Sequence, residues 1–185
     1  MPDFLVVSAG GCGSVSLIKY LENFGKSNLY FERNYKIFGL GHIYKPTNFH
    51  FRNKVKVIII KRDFEDIYNS MKSRGFIRNT LNVFGDPFPF MYLNILKNKK
   101  KLKKKYLRYL EKFYFNWRKY NQELILELEY PKLYQDFDCR IRIKNFLDIK
   151  DDTFLKNFPK FEKYKKDKNF IDPSTILMRD IYNLK

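Results

Sequence analysis

Gly10, Gly11 and Gly13 stand in the run Ala9-Gly10-Gly11-Cys12-Gly13, directly after the apolar stretch Phe4 to Ser8 and directly before Ser14. A loop that leaves a strand and opens a helix can aim several backbone N–H groups at one anion, with the helix dipole assisting. Glycine suits such a loop because a side chain would hold a phosphate away from the backbone. The hydroxyls of Ser14 and Ser16 would add donors. A glycine-rich turn without a ligand is the plain alternative. Its position after a first strand, at the carboxyl edge of a parallel sheet, favours the ligand. The loop is not the usual nucleoside-triphosphate loop: that pattern closes with Gly-Lys-Ser/Thr, whereas this one reads Gly13-Ser14-Val15.

A second group lies in Lys61-Arg62-Asp63-Phe64-Glu65-Asp66-Ile67-Tyr68-Asn69-Ser70, where Arg62 and Ser70 are eight residues apart. Arginine offers a planar fork that binds phosphate oxygens in pairs. Magnesium-dependent nucleotide enzymes place an acid at the end of such a strand; here the strand ends on the two cations Lys61 and Arg62. Arg62 at the strand tip and Ser70 two turns into the next helix reach one phosphate only if that helix folds back over the tip. Taken alone, a solvated arginine and an ordinary helix serine fit the spacing better. Histidine is the other candidate for chemistry, its imidazole titrating near neutrality. His42 follows Gly39-Leu40-Gly41 and precedes Pro46, while His50 is less well placed.

The elements that must position these groups alternate. Phe4 to Ser8 predicts a strand, and Val15, Leu17, Ile18, Leu21 and Phe24 recur at helical spacing, with Gly25 in the place of a C-cap. Lys36 to Leu40 is a further candidate strand, and Val55 to Ile60, β-branched with little alternation, reads as a fully buried one. A helix is expected from Phe64 to Lys72, an irregular crossing from Phe76 to Phe90, and a long helix from Lys97 to Tyr120. Leu124 to Leu128 then predicts a strand and Lys132 to Leu147 one helix; beyond Asp151 the pattern weakens. Strands alternating with helices imply an α/β fold, a central parallel sheet flanked by helices. The chain's 185 residues suit a single domain over 1–185, with its core in 1–150 and little assigned to 151–185.

Composition narrows the classes. Hydrophobic residues at 44% and aromatics at 18% exclude a wholly disordered chain. No apolar run approaches the roughly 20 residues that span a bilayer, and the N-terminus lacks the basic start of a signal peptide, so a cytoplasmic protein without a transmembrane segment is expected. Cys12 and Cys139 are too few for a disulfide framework and wrongly spaced for zinc. The net charge of +17 makes an anionic partner plausible. It is shared with a chain-wide excess of Lys, Asn, Ile, Phe and Tyr, and Ala9 is the only alanine, as AT-rich coding would give. The lysines from Lys97 to Arg108 surround a stripe of Leu102, Tyr106, Leu107 and Leu110. That arrangement suits a solvated face, or a surface for an anionic glycan or membrane. No recognition motif accompanies the charge, so nucleic acid is not the expected partner.

Together the motifs resemble the sulfotransferase family that uses 3′-phosphoadenosine-5′-phosphosulfate (PAPS). Phe4 to Leu17 is similar to that family's 5′-phosphosulfate loop on its strand and helix. Val57 to Ser70 is similar to its 3′-phosphate motif, an arginine followed by an acid, with a serine eight residues after the arginine. Leu126 to Tyr130, and the helix ending Asn145 to Ile149, resemble the family's late strand and helix. The resemblance implies the P-loop-like sulfotransferase architecture and sulfuryl transfer from PAPS to a hydroxyl or amine, possible acceptors being a glycan or a small metabolite. The product would be PAP (3′,5′-adenosine bisphosphate), and no metal would be required. It implies that Gly10, Gly11, Cys12, Gly13, Ser14, Val15 and Ser16 hold the 5′-phosphosulfate, that Arg62 and Ser70 hold the 3′-phosphate, and that His42 is the general base. Gly11 stands where the family carries a loop lysine or arginine, and loss of such a cation costs on the order of 10² to 10³ in rate; Lys45 and Lys61 are the candidates to replace it. The family's C-terminal Arg-Lys-Gly segment has no clear counterpart, the lysines from Lys160 to Lys168 being a possible substitute. Two other readings stay open: a sulfotransferase-like protein that binds nucleotide or an anionic polymer with little turnover, and a kinase with an unusual loop.

Overall fold

The computed structural model describes residues 3–28, 45–46, 52–77, 80–81 and 99–160. Within them, three strands form a parallel sheet in the order β1 (Phe4–Ser8), β2 (Lys56–Lys61), β3 (Ile125–Glu129). The registers Val6↔Ile58 and Ile58↔Leu126 bring the three carboxyl ends to one edge. Every residue of β1 and the four inner residues of β2 are buried, which explains their unbroken β-branched and leucine runs: covers lie on both faces. At Val6 the lateral edge of β1 is satisfied by a side chain. Asn28 donates to Val6 O and accepts from Val6 N, both at 2.8 Å, taking the place of a strand partner.

Helix α1 (Ser14–Leu21) follows β1 and packs back on it. It ends short of Gly25, which is not its C-cap; Glu22 holds that position. Gly25 instead lets the chain approach β1, since a Cβ there would lie 3.0 Å from Phe4 Cε1. Helix α2 (Phe64–Ser73) is set at both ends by its own sequence. Asp63 caps it, accepting from Asp66 N at 3.0 Å. At the far end Gly75 N bonds to Lys72 O and Phe76 N to Met71 O, the paired bonds of a Schellman turn, with Gly75 at φ 78°.

Helix α3 (Lys99–Arg118) lays Tyr106, Leu110, Phe113 and Trp117 into the core at i, i+4, i+7 and i+11. Tyr114 ties the helix to β2, donating to Ile60 O at 3.1 Å, and Tyr120 just beyond the helix donates to Val55 O, the residue before β2, at 2.8 Å. Phe64 stacks on Tyr114 and Tyr68 meets Tyr106, joining α2 to α3. Lys100, Lys101, Lys104 and Arg108 are exposed, Leu102 and Leu107 are half-buried, and Lys103 pairs with Glu65 at 2.7 Å.

After β3 the expected single helix is two, α4 (Lys132–Gln135) and α5 (Phe137–Phe146). The break is Asp136, extended at ψ 125°, whose carboxylate accepts from Asp138 N at 2.9 Å. An aspartate gains more as the cap of a new helix than inside a continuing one. A short helix α6 (Thr153–Lys156) follows, and Phe154 and Phe158 form an aromatic cluster with Tyr20 and Phe24, so the core extends past residue 150. The candidate strand Lys36 to Leu40, residues 78–79 and 82–90 of the irregular crossing, residues 97–98 of the long helix, and residues 161–185 lie outside the described residues. Among the described residues no helix is long and apolar enough to cross a membrane.

Candidate anion-binding site

The glycine loop, Arg62 and Tyr130 all follow directly on strand ends at the same edge of the sheet, so the register alone makes them neighbours. Tyr130 N continues the ladder by bonding to Lys61 O at 2.7 Å. The loop depends on its glycines: Gly10, Gly11 and Gly13 have φ of 94°, 65° and 68°, a region costing other residues roughly 1–2 kcal/mol. Among the described residues, no hydrogen bond engages the backbone N–H groups of Gly11, Cys12, Gly13, Ser14 or Val15. These are the donors that a loop before a helix offers to an anion.

Side chains around the loop fix its shape. Ser8 Oγ donates to Ser14 Oγ at 3.0 Å, so the buried Ser14 hydroxyl is already an acceptor within the fold. Val15 and Ser16 are exposed. The Cys12 thiol is buried against Gly10 O, and burial pushes its pKa up to about 12 although the charges of Arg62 and Arg74 oppose the shift. Cys12 therefore shapes the loop as a neutral thiol, and the field of two arginines reaches it. Tyr134 donates to Gly13 O at 2.6 Å. A Cβ on Gly13 would lie 3.1 Å from the rings of both Tyr130 and Tyr134, a close approach that only glycine permits.

Arg62 and Ser70 do meet, through Gly11. Arg62 Nη1 donates to Gly11 O at 2.6 Å, and its guanidinium lies over the Tyr130 ring, 4.9 Å from the centroid. Asp66 stands 3.6 Å from Arg62 Nε. From the other side, Ser70 Oγ lies 3.1 Å from where a Gly11 Cβ would be. Helix α2 thus folds back over the strand tip, as contact of both residues with one loop requires.

Arg74 was not singled out by sequence spacing. Its Nη2 is also 3.1 Å from the Gly11 Cβ position, and Nη2 and Nε bond to Ser70 Oγ and Ser70 O at 3.0 and 3.1 Å. The only signal in the sequence was a cation one helical turn after Ser70. Tyr130 and Tyr134 were likewise unmarked, because the parallel register is what carries them to the loop. Lys61, by contrast, is directed to β3, where it pairs with Glu127, and so is not available to serve the loop. Lys45 is exposed in the isolated pair 45–46, and His42 and His50 lie outside the described residues.

Fold and loop together define a mixed helix-and-strand protein, a small parallel sheet flanked by helices with a glycine-rich loop and arginines at its carboxyl edge. Comparison with protein-family models, with curated proteins and with solved structures finds no match to the chain.

Proposed function

We propose that this protein is a PAPS-dependent sulfotransferase with the P-loop-like architecture of that family. The observation that carries the reading is the convergence of two separate motifs on Gly11: Arg62 on its carbonyl and Ser70 Oγ 3.1 Å from where its Cβ would be. The donors there are backbone amides, guanidinium groups and a hydroxyl, which fits the anionic groups of a phosphorylated nucleotide.

On this reading the amides of Gly11 to Val15 bind the 5′-phosphosulfate, and Arg62 with Ser70 binds the 3′-phosphate. PAPS supplies an activated sulfuryl group. The acceptor oxygen or nitrogen attacks sulfur in line, the bond from sulfur to the 5′-phosphate oxygen breaks, and PAP leaves. The acceptor proton passes to a base, the role assigned to His42, with Lys45 a further cation near it in sequence. Arg62 has a double part on this reading: its bond to Gly11 O sets the loop, and its charge attracts the anion. An anionic glycan acceptor suits the chain's positive charge. Binding without transfer, to nucleotide or an anionic polymer, is the alternative that a loop with Gly11 in place of a cation favours.

Calorimetric titration with PAP and with ATP–magnesium, on the wild type and Arg62→Ala, tests the proposal. PAP is expected to bind in the micromolar range and ATP–magnesium weakly, with a loss of about 10- to 100-fold in PAP affinity in the variant. Folded wild-type protein that does not bind PAP would end the sulfotransferase reading. PAP binding without sulfate transfer to any of a panel of hydroxyl and amine acceptors would select the alternative.

A further inference from the structure

Arg74 belongs to the end of α2, yet its guanidinium fills the space that a side chain at Gly11 would take. Several contacts hold it there, Nη2 to Met71 Sδ at 3.3 Å among them. Nε donates to Ser70 O, Nη2 donates to Ser70 Oγ, and the guanidinium carbon lies 5.5 Å from the centroid of the Phe76 ring. The Nε bond goes to a carbonyl that Ser73 Oγ also engages, at 2.9 Å, and the Schellman turn at Gly75 sends the chain round so that Phe76 can pack beneath the guanidinium. The position is thus built by α2 and its terminus, not by the loop it serves.

We infer that Arg74 is an anion ligand of the glycine loop, a cation supplied from α2 in the space that Gly11 leaves open, for a ligand bearing two adjacent anionic groups. Arg62 reaches the loop from the strand side and Arg74 from the helix side, so the guanidiniums approach Gly11 from two elements. The absence of a side chain at residue 11 and the arginine at residue 74 form one device: a Cβ at Gly11 and the guanidinium compete for the same few ångströms. The inference rests on the sulfotransferase reading for what the anion is, a phosphosulfate, but not for the contact itself.

The test is calorimetric titration of the whole chain with PAP and, separately, with inorganic pyrophosphate, on wild type, Arg74→Gln and Arg74→Lys. Glutamine keeps an amide donor for Ser70 and removes the charge; lysine keeps the charge. Thermal midpoints within a few degrees of wild type confirm folding. Arg74→Gln should weaken pyrophosphate binding about 10- to 100-fold, as loss of a charge-assisted contact does, with Arg74→Lys recovering part of it. Unchanged affinity in Arg74→Gln, or equal losses in both variants, would overturn the inference. Wild type that binds pyrophosphate but not PAP would end the sulfotransferase reading while leaving the Arg74 comparison decisive. Binding of neither probe would overturn both.

Discussion

Gly11→Ala, compared with Gly75→Ala, separates what the backbone requires of a glycine from what the site requires. Both glycines have positive φ, 65° and 78°, so alanine at either meets a similar backbone cost of about 1–2 kcal/mol. Both variants also gain similarly from a stiffer unfolded chain, and that term cancels in the comparison. Their surroundings differ. A Cβ at Gly75 meets nothing within 4 Å, whereas one at Gly11 lies 3.1 Å from Arg74 Nη2, 3.1 Å from Ser70 Oγ and 3.3 Å from Ser70 Cβ. The arginine tip can swing away, but Ser70 Cβ is fixed to the α2 backbone, so helix or loop must shift. Overpacking of that kind adds roughly 1–3 kcal/mol. Gly11→Ala should therefore cost about 2–5 kcal/mol and Gly75→Ala about 1–2 kcal/mol, read as midpoint shifts in urea unfolding at unchanged slope. PAP titration of the two folded variants should show affinity lost in the first and kept in the second. Equal stabilities within about 0.5 kcal/mol would refute the packing of α2 on the loop, since measured differences of that size are the ordinary scatter of surface changes.

Three further outcomes follow from the same contacts. Tyr134→Phe removes the donor to Gly13 O and should cost about 1 kcal/mol in urea unfolding, no change meaning that the tyrosine does not hold the loop. Asn28→Ala strips both groups of Val6 of their partner and should cost about 2–4 kcal/mol, with the Val6 amide losing its protection in hydrogen exchange. Cys12, its pKa raised from 9.0 to about 12 by burial, should carry a thiolate fraction of about 10⁻⁴ at pH 8, against about a tenth at the ordinary value. It should then react roughly a thousandfold more slowly with a disulfide reagent in native protein than in urea. Because the folded state raises this pKa, the neutral thiol's contribution is complete below pH 9 and fades as pH rises toward 12; native labelling of Cys12 at the free-thiol rate would contradict the burial.

What the sequence determined by itself is local. The β-branched run of β2, the Asp63 cap, the helical period of α3 and the glycines before Ser14 each fix one element through interactions within a few residues, and each formed near its expected place. The misreadings were also local, where two local rules compete. Asp136 could continue a helix or cap a new one, and Gly25 could end a helix or admit Phe4; hydrogen bonding and close packing decided. The meeting of Arg62, Ser70 and Arg74 at Gly11 is of another kind. It depends on the parallel register of β1 with β2 and on the path of α2 back over the strand tip, neither of which any short window of sequence encodes. Lys61 shows the same limit from the other side: adjacent to Arg62 in sequence, it pairs with Glu127 on β3, whereas Arg62 bonds to the loop. Residue type set which groups could bind an anion, and only the packing of α2 on the loop set which of them stand together.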